Sequence, residues 1–339
     1  MKTPVVILGY NRVGKRLAAA LQRQPDLRVA MVCDPDKRRL AEARQKGWLA
    51  CEAPDSEASQ ADSWWVDCRR WSGPEEGIIV LPAGVKDGSP MAGFSLLNPS
   101  VKTQLGGIRV CPANTLAYAR LFRALSRIGS LHRCQATVVE PPSPQQQESL
   151  DALQPIFDRI GETEVMKQAL ASVVSDFHLC RVAAPYSRSR LHMVRLEFNA
   201  KVGGLDVRQA LEAAPRIVLG AARDGFTGTA QVQEFCRDAE GRNGDRPELF
   251  IWSESVVVRG NRVHLVMDVD PDQTPIPETI DAIRLSMHPN LTLDESIVLT
   301  DRALGLKLDF NWVATRRIET MSDELQPVQP SGVAGTIQP

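Results

Sequence analysis

Apolar and polar positions along the first third of the chain fall into short blocks of two alternating kinds. Residues 4–8 (PVVIL) are a continuous apolar run of strand length, and beyond Gly9 the positions Val13, Leu17, Ala20 and Leu21 recur at the three- and four-residue spacing of one helix face. Residues 29–33 (VAMVC) repeat the strand pattern and end at Asp34, and residues 37–46 read as a second helix closed by Gly47. Further apolar runs at 64–67, 78–81 and 108–111 predict more buried strands. Short strands alternating with amphipathic helices predict an α/β fold: a Rossmann-like, doubly wound parallel sheet covered on both faces.

The pattern changes after residue 113. Residues 115–128 predict a long amphipathic helix that Asn114 can N-cap. Beyond it, residues 134–139 and 192–198 alternate in the manner of half-buried antiparallel strands, and residues 256–266 read as a hairpin turned at Gly260-Asn261, since a glycine in the first position of a two-residue loop suits a type II′ turn. A second domain, α+β with a mixed or antiparallel sheet, is therefore expected. Residues 293–306 predict a late helix, and residues 322–339, rich in Pro, Gln, Ser and Gly, predict a disordered tail. No internal repeat is evident.

Charge and cysteine usage narrow the chemistry. Forty Lys and Arg against 41 Asp and Glu leave a net charge of -1, so there is no basic excess to neutralise a phosphate backbone, and nucleic-acid binding is not expected. No stretch approaches the roughly 18 apolar residues of a membrane span, and the opening Met1-Lys2-Thr3-Pro4 lacks the pattern of a secretory signal, which predicts a cytoplasmic protein with no membrane partner. The seven cysteines are dispersed without a CxxC pair and their number is odd, which fits reduced thiols. The five histidines are equally scattered, so no metal site is predicted.

Gly9-x-Asn11-x-x-Gly14 lies where a dinucleotide fingerprint lies, after the first strand and at the opening of the first helix. Gly9, Tyr10, Asn11, Arg12, Val13 and Gly14 are therefore candidate cofactor residues, their backbone amides facing a pyrophosphate. Asn11 stands where glycine normally lets the backbone approach that group. Asp34 lies 20 residues after Gly14, placed to accept from a ribose 2′-hydroxyl and to repel a 2′-phosphate, so NAD is expected and NADP less so. The competing reading is a dinucleotide fold that no longer binds.

The loop from Gly9 to Arg16, the stretch 214–230 (APRIVL to DGFTGTA), 249–255 (LFIWSES), 276–284 (IPETIDAIR), the positions Ser296, Ile297, Thr300 and Ala303, and more weakly 163–202, resemble the archaeal-type (type II) glyceraldehyde-3-phosphate dehydrogenases. The resemblance covers roughly residues 3–306. It implies a nucleotide-binding domain over 1–113, a catalytic-type domain over 114–290, a C-terminal helix in 291–321 that returns to the nucleotide domain, and self-assembly as a dimer or tetramer. It also implies a cysteine nucleophile at the start of the domain-joining helix. Aligned without a gap, Arg109-Val110-Cys111-Pro112-Ala113-Asn114-Thr115 puts Ala113 at that place. Cys111 stands two residues earlier, at the end of a buried strand, and reads as an inert core thiol before a substitute nucleophile. The stretch matching the family's histidine-bearing loop is Pro141 to Gln147, without histidine, and Glu140-Pro141 replaces the family's paired arginines.

An anion site remains conceivable on the resemblance. Asn114 and Thr115 follow the nucleophile position, and Arg181, Tyr186, Arg188, Arg190 and His192 fall in the substrate segment, where only His192 matches a family histidine. The plainer reading makes Arg188 and Arg190 a solvated strand face and His192 a packed core residue, as Trp64, Trp65 and Trp71 are core or subunit-contact residues. Two functions follow as expectations. One is a non-catalytic regulatory or scaffolding relative that binds NAD and a protein partner. The other is an NAD(P)-dependent oxidoreductase acting by direct hydride transfer on a small anionic carbonyl or imine, with Tyr186, His192 and the arginines as proton donor and orienting cations.

Overall fold

The apolar run of residues 3–8 becomes the middle of a sheet because both of its faces are apolar: Val5 and Ile7 point into one core, Val6 and Leu8 into a cluster on the other face. The computed structural model describes residues 2–53, 63–69, 77–82, 91–99, 106–142, 154–155, 160–184, 189–239, 242 and 244–307. The first part runs β1 (Thr3–Leu8), α1 (Arg12–Gln22), β2 (Leu27–Cys33), α2 (Lys37–Gln45), β3 (Ala50–Cys51), β4 (Trp64–Asp67), β5 (Ile78–Pro82), β6 (Met91–Phe94) and β7 (Gly107–Val110). These strands make one sheet in the order β3-β2-β1-β4-β5-β7-β6.

That sheet is mixed, not wholly parallel. β2, β1 and β4 run parallel as predicted, but β5 is antiparallel to both β4 and β7. A parallel crossover takes a dozen or more residues, usually with a helix, and the chain between Asp67 and Ile78 is too short for one. The apolar pattern of a buried strand carries no information about its direction, so this reversal was invisible to periodicity.

α3 (Ala113–Leu125) leads into the second part: β8 (Leu131–Glu140), β9 (Gln154–Pro155), α4 (Ile160–Leu170), β10 (Asp176–Ala183), β11 (Arg190–Phe198), α5 (Gly204–Ala213), β12 (Ile217–Gly220), α6 (Thr229–Asp238), β13 (Leu249–Trp252), β14 (Val257–Arg259) and β15 (Arg262–Val269). The second sheet has eight strands in the order β12-β13-β15-β11-β8-β10-β9, with β14 hairpinned onto β15. β8 pairs antiparallel with β11 and parallel with β10, so this sheet is mixed too. The β14–β15 hairpin turns at Gly260 with φ 65, the left-handed backbone that a type II′ turn requires of its first residue.

α3 differs from expectation at its start. The helix opens at Ala113 with Pro112 in the capping position, and Asn114 is not the N-cap but a fully buried residue of the first turn. Proline fixes φ and is well suited to the helix entrance, and here it displaces the cap two residues upstream. The last two helices, α7 (Pro275–Met287) and α8 (Leu293–Leu304), close the described chain. Ile276, Ile280 and Ile283 of α7 and Leu304 of α8 join the core of the first sheet. α7 packs against α1, β5 and β7. No helix among the described residues is long and apolar enough to cross a membrane. Residues 308–339, including the tail, lie outside the described residues, as do Trp71, Tyr186, Arg188 and residues 143–147.

Candidate functional site

The loop between β1 and α1 makes a tight passage from strand to helix where the dinucleotide fingerprint is expected. Gly9 adopts φ +93, and a Cβ on Gly14 would stand 2.0 Å from the Gly9 carbonyl oxygen, so both glycines serve the tight passage from strand to helix. Four amides of this loop, those of Gly9, Tyr10, Val13 and Gly14, already have partners. Gly9 N donates to the Cys33 carbonyl at 2.7 Å and Tyr10 N to Asp34 Oδ2 at 2.6 Å. Asn11 is the N-cap of α1: its Oδ1 accepts from Val13 N and Gly14 N at 3.1 and 3.0 Å, while its Nδ2 donates to the Cys68 carbonyl at 2.6 Å. The donors a pyrophosphate would need at Val13 and Gly14 are thus taken by the chain itself.

Asp34 follows β2 at the expected place but is 1% exposed. Besides Tyr10 N it accepts from Asp36 N at 2.8 Å and from Arg39 at 3.4 Å, so its carboxylate ties the β2 end to the loop. Arg69, held bidentately by Asp67 at 3.0 and 2.7 Å, lies over Gly9. Arg12 pairs with Asp272, and Arg16 pairs with Asp245 at 3.1 Å and with Asp272 at 3.8 Å, so two arginines of α1 reach the segments that flank β13 and α7.

At the entrance of α3, Ala113 and Cys111 face different cores. Ala113 packs into the core of the second sheet, whereas Cys111 packs against that of the first. Burial pushes the Cys111 thiol up to about 11, against a smaller opposing pull from Arg109. A thiol so raised is almost wholly protonated near neutrality and is a poor nucleophile. Asn114 and Thr115 are fully buried in the first turn of α3.

The described part of the expected anion cluster is partly paired from within. Glu140, at the end of β8 and 1% exposed, accepts from Arg181 at 3.0 Å and pairs with Arg190 at 3.2 Å. One buried carboxylate thus serves as counter-ion to two arginines. His192 is fully buried on β11, its Nδ1 3.0 Å from the Tyr118 hydroxyl of α3 and its ring edge-on to the Tyr118 ring. Burial first, then Arg190 and Arg181, hold the imidazole well below its usual range, so it is neutral. Sequence reasoning missed the Asn11 cap, although Asn before the first helical turn is itself a helix-start signal. It also missed Tyr118 and the pairing of Glu140 with Arg181 and Arg190, which depend on long-range contacts that no local pattern shows. Among the described residues no group of three His, Cys, Asp or Glu is disposed to hold a metal ion.

Comparison with known proteins gives a consistent picture. No family model matches the chain. The glyceraldehyde-3-phosphate dehydrogenase of Hyperthermus butylicus is 28% identical over 334 residues, covering 89% of this chain and 97% of that protein. The protein of the same name from Saccharolobus solfataricus is 25% identical over 336 residues with the same coverage. The chain is therefore similar to these archaeal dehydrogenases along nearly its whole length, in keeping with a Rossmann-like sheet followed by an α+β unit.

Proposed function

We propose that this is a glyceraldehyde-3-phosphate-dehydrogenase-like protein that does not carry out cysteine-dependent aldehyde oxidation and serves instead as a regulatory or scaffolding subunit. One observation carries the reading: the residue that opens α3 is Ala113, and the nearest thiol, Cys111, is turned into the other core and held protonated. A methyl group cannot attack an aldehyde carbonyl. In this reading a nicotinamide dinucleotide, NAD in preference to NADP because of the Asp34 charge, binds at the β1–α1 loop, at the expense of the Asn11 cap. The protein is cytoplasmic, assembles with itself as a dimer or tetramer and offers that assembly to a protein partner.

The alternative of direct hydride transfer has less support. It draws its proton donor and cations from Tyr186, His192 and the arginines, and His192 is buried and neutral while Arg181 and Arg190 share Glu140. The deciding experiment is an assay of glyceraldehyde 3-phosphate oxidation with NAD or NADP and inorganic phosphate, run on the purified protein and on Cys111→Ser. The expected result is no turnover with either. Turnover that disappears in Cys111→Ser overturns the proposal.

A further inference from the structure

Three sulfur atoms meet on the face of the first sheet opposite α1. Cys33, the last residue of β2, and Cys51, the last of β3, are register partners on parallel strands, with their Sγ atoms 3.3 Å apart. The Cys51 Sγ is also 3.2 Å from the Met31 Sδ. Neighbouring strands lie about 4.8 Å apart, inside the span of about 4.4–6.8 Å between Cα atoms that a disulfide bridges. The two thiols differ in access: Cys33 is 3% exposed, whereas Cys51 is partly exposed.

Closing the bond requires the sulfurs to approach to about 2.05 Å. β3 is suited to this movement. It is a two-residue strand at the edge of the sheet, held to β2 by hydrogen bonds such as Val32 N to the Leu49 carbonyl at 2.8 Å and Asp34 N to the Cys51 carbonyl at 3.2 Å. We propose that Cys33 and Cys51 form a reversible dithiol–disulfide pair, oxidised by a hydroperoxide through Cys51. Cys51 sulfur attacks a peroxide oxygen; the S–O bond forms, the O–O bond breaks, and the thiol proton leaves with the departing oxygen, as water when the oxidant is hydrogen peroxide. Cys33 sulfur then attacks the Cys51 sulfenic acid; the S–S bond forms, the S–O bond breaks, and the departing hydroxide takes the Cys33 proton as a second water. The peroxide is reduced by the two electrons the thiols lose. A small dithiol reverses the bond by exchange, becoming a disulfide itself.

The position gives the bond a consequence. The Cys33 carbonyl accepts from Gly9 N, and the next residue, Asp34, accepts from Tyr10 N and donates its own amide to the Cys51 carbonyl. The disulfide would therefore pin the edge strand to the segment that holds the β1–α1 loop. This inference stands apart from the nucleotide and catalytic readings, and so does its test.

The test treats the full chain with hydrogen peroxide, blocks remaining thiols under denaturing conditions without reduction, and maps the digest by mass spectrometry. The expected result is a peptide pair joining Cys33 to Cys51, an intact mass lower by two hydrogens, and recovery of both thiols with dithiothreitol. Cys51→Ser abolishes the link. Cys33→Ser leaves a Cys51 sulfenic acid that dimedone captures, and Cys33→Ala, which keeps the buried site apolar, gives the same adduct should the serine variant fail to fold. Cys180, exposed on β10, reports that oxidant reached the protein. Oxidised Cys180 without a Cys33–Cys51 link overturns the proposal, as does direct conversion of Cys51 to its sulfinic acid in the unmodified sequence.

Discussion

Asn11 puts a side-chain carbonyl on the two amides that a phosphate would otherwise take, and an amide nitrogen on the Cys68 carbonyl across the loop. Two effects oppose each other when it is changed. Glycine is nearly as good an N-cap, costing a few tenths of a kcal/mol, while loss of the Cys68 bond costs about 1 kcal/mol. Against this, freed amides can bond to a charged oxygen, worth about 1.5–3 kcal/mol for a hydrogen bond of that kind. Asn11→Gly is therefore expected to bind NAD about tenfold or more tightly in calorimetry, with only a small drop in the urea midpoint. Asn11→Asp keeps the cap but adds a negative charge beside the pyrophosphate, and is expected to bind more weakly than either. Equal affinities in all three proteins would show that the dinucleotide does not use this loop.

At the scale of elements, the joint between β12 and the α7–α8 pair is built on one arginine. Arg216, buried and at φ 58, is a non-glycine in left-handed backbone, a conformation that persists only where its surroundings fix it. Its guanidinium meets Glu278 and Asp281 of α7 at 3.2 and 2.7 Å and Asp301 of α8 at 2.7 Å. Arg120 adds a second cation on Glu278, so three carboxylates share two guanidinium groups. Asp301 is the member that yields: burial, with the charges of Asp281 and Glu278, raises it from 3.8 to about 6 despite Arg216. A carboxyl raised in the folded state contributes stability below its unfolded value near 3.8, and that contribution is lost as pH rises through about 6. Asp301→Asn keeps an oxygen for the Arg216 Nε and removes the titration. The variant is expected to gain on the parent protein between pH 4 and 7, by on the order of 1–3 kcal/mol in urea unfolding. A difference independent of pH would refute the assignment. Arg216→Ala, which leaves buried carboxylates uncompensated, is expected to cost about 3–5 kcal/mol at neutral pH.

These elements differ in how far the sequence reveals them. β1, α1, β2 and the β14–β15 hairpin are local events, each set by a short apolar run and a turn residue with a specific backbone need, and they fall where the pattern places them. α7 is local as a helix, but its address is not. Its charged residues Glu278, Asp281 and Arg284 are all fully buried, which a pattern of polar positions reads as a solvated face. The same limit applies at the candidate site. Arg190 and His192 suit an anion by residue type, but their partners, Glu140 for Arg190 and Tyr118 for His192, are distant in sequence and adjacent only once β8, β11 and α3 have paired.

For the whole molecule, the question is whether the two sheets with their helices hold together as one body. α3 carries Leu116 into the first core and Ala117, Leu121 and Phe122 into the second. On the same helix, the buried Arg120 bonds Glu278 of α7 at 2.8 and 2.6 Å, the Thr274 carbonyl at 2.6 Å and the Pro247 carbonyl at 2.5 Å. α7 in turn grips the first part through Arg284, which meets Asp26 at 2.7 and 2.8 Å and Gln24 at 3.0 Å. No half can open without exposing one of these buried charges, so the halves are expected to unfold together. Native-state hydrogen exchange checks this: the amides of Ile7 in β1 and Ala136 in β8 should exchange with the same opening free energy. Arg120→Ala strips the link from α3 to α7 and is expected to lower both values by about 3–5 kcal/mol or to split them, the second sheet opening apart from the first. Unequal values in the parent protein would mean that the cores are independently stable, and that the buried arginines position the halves without coupling their unfolding.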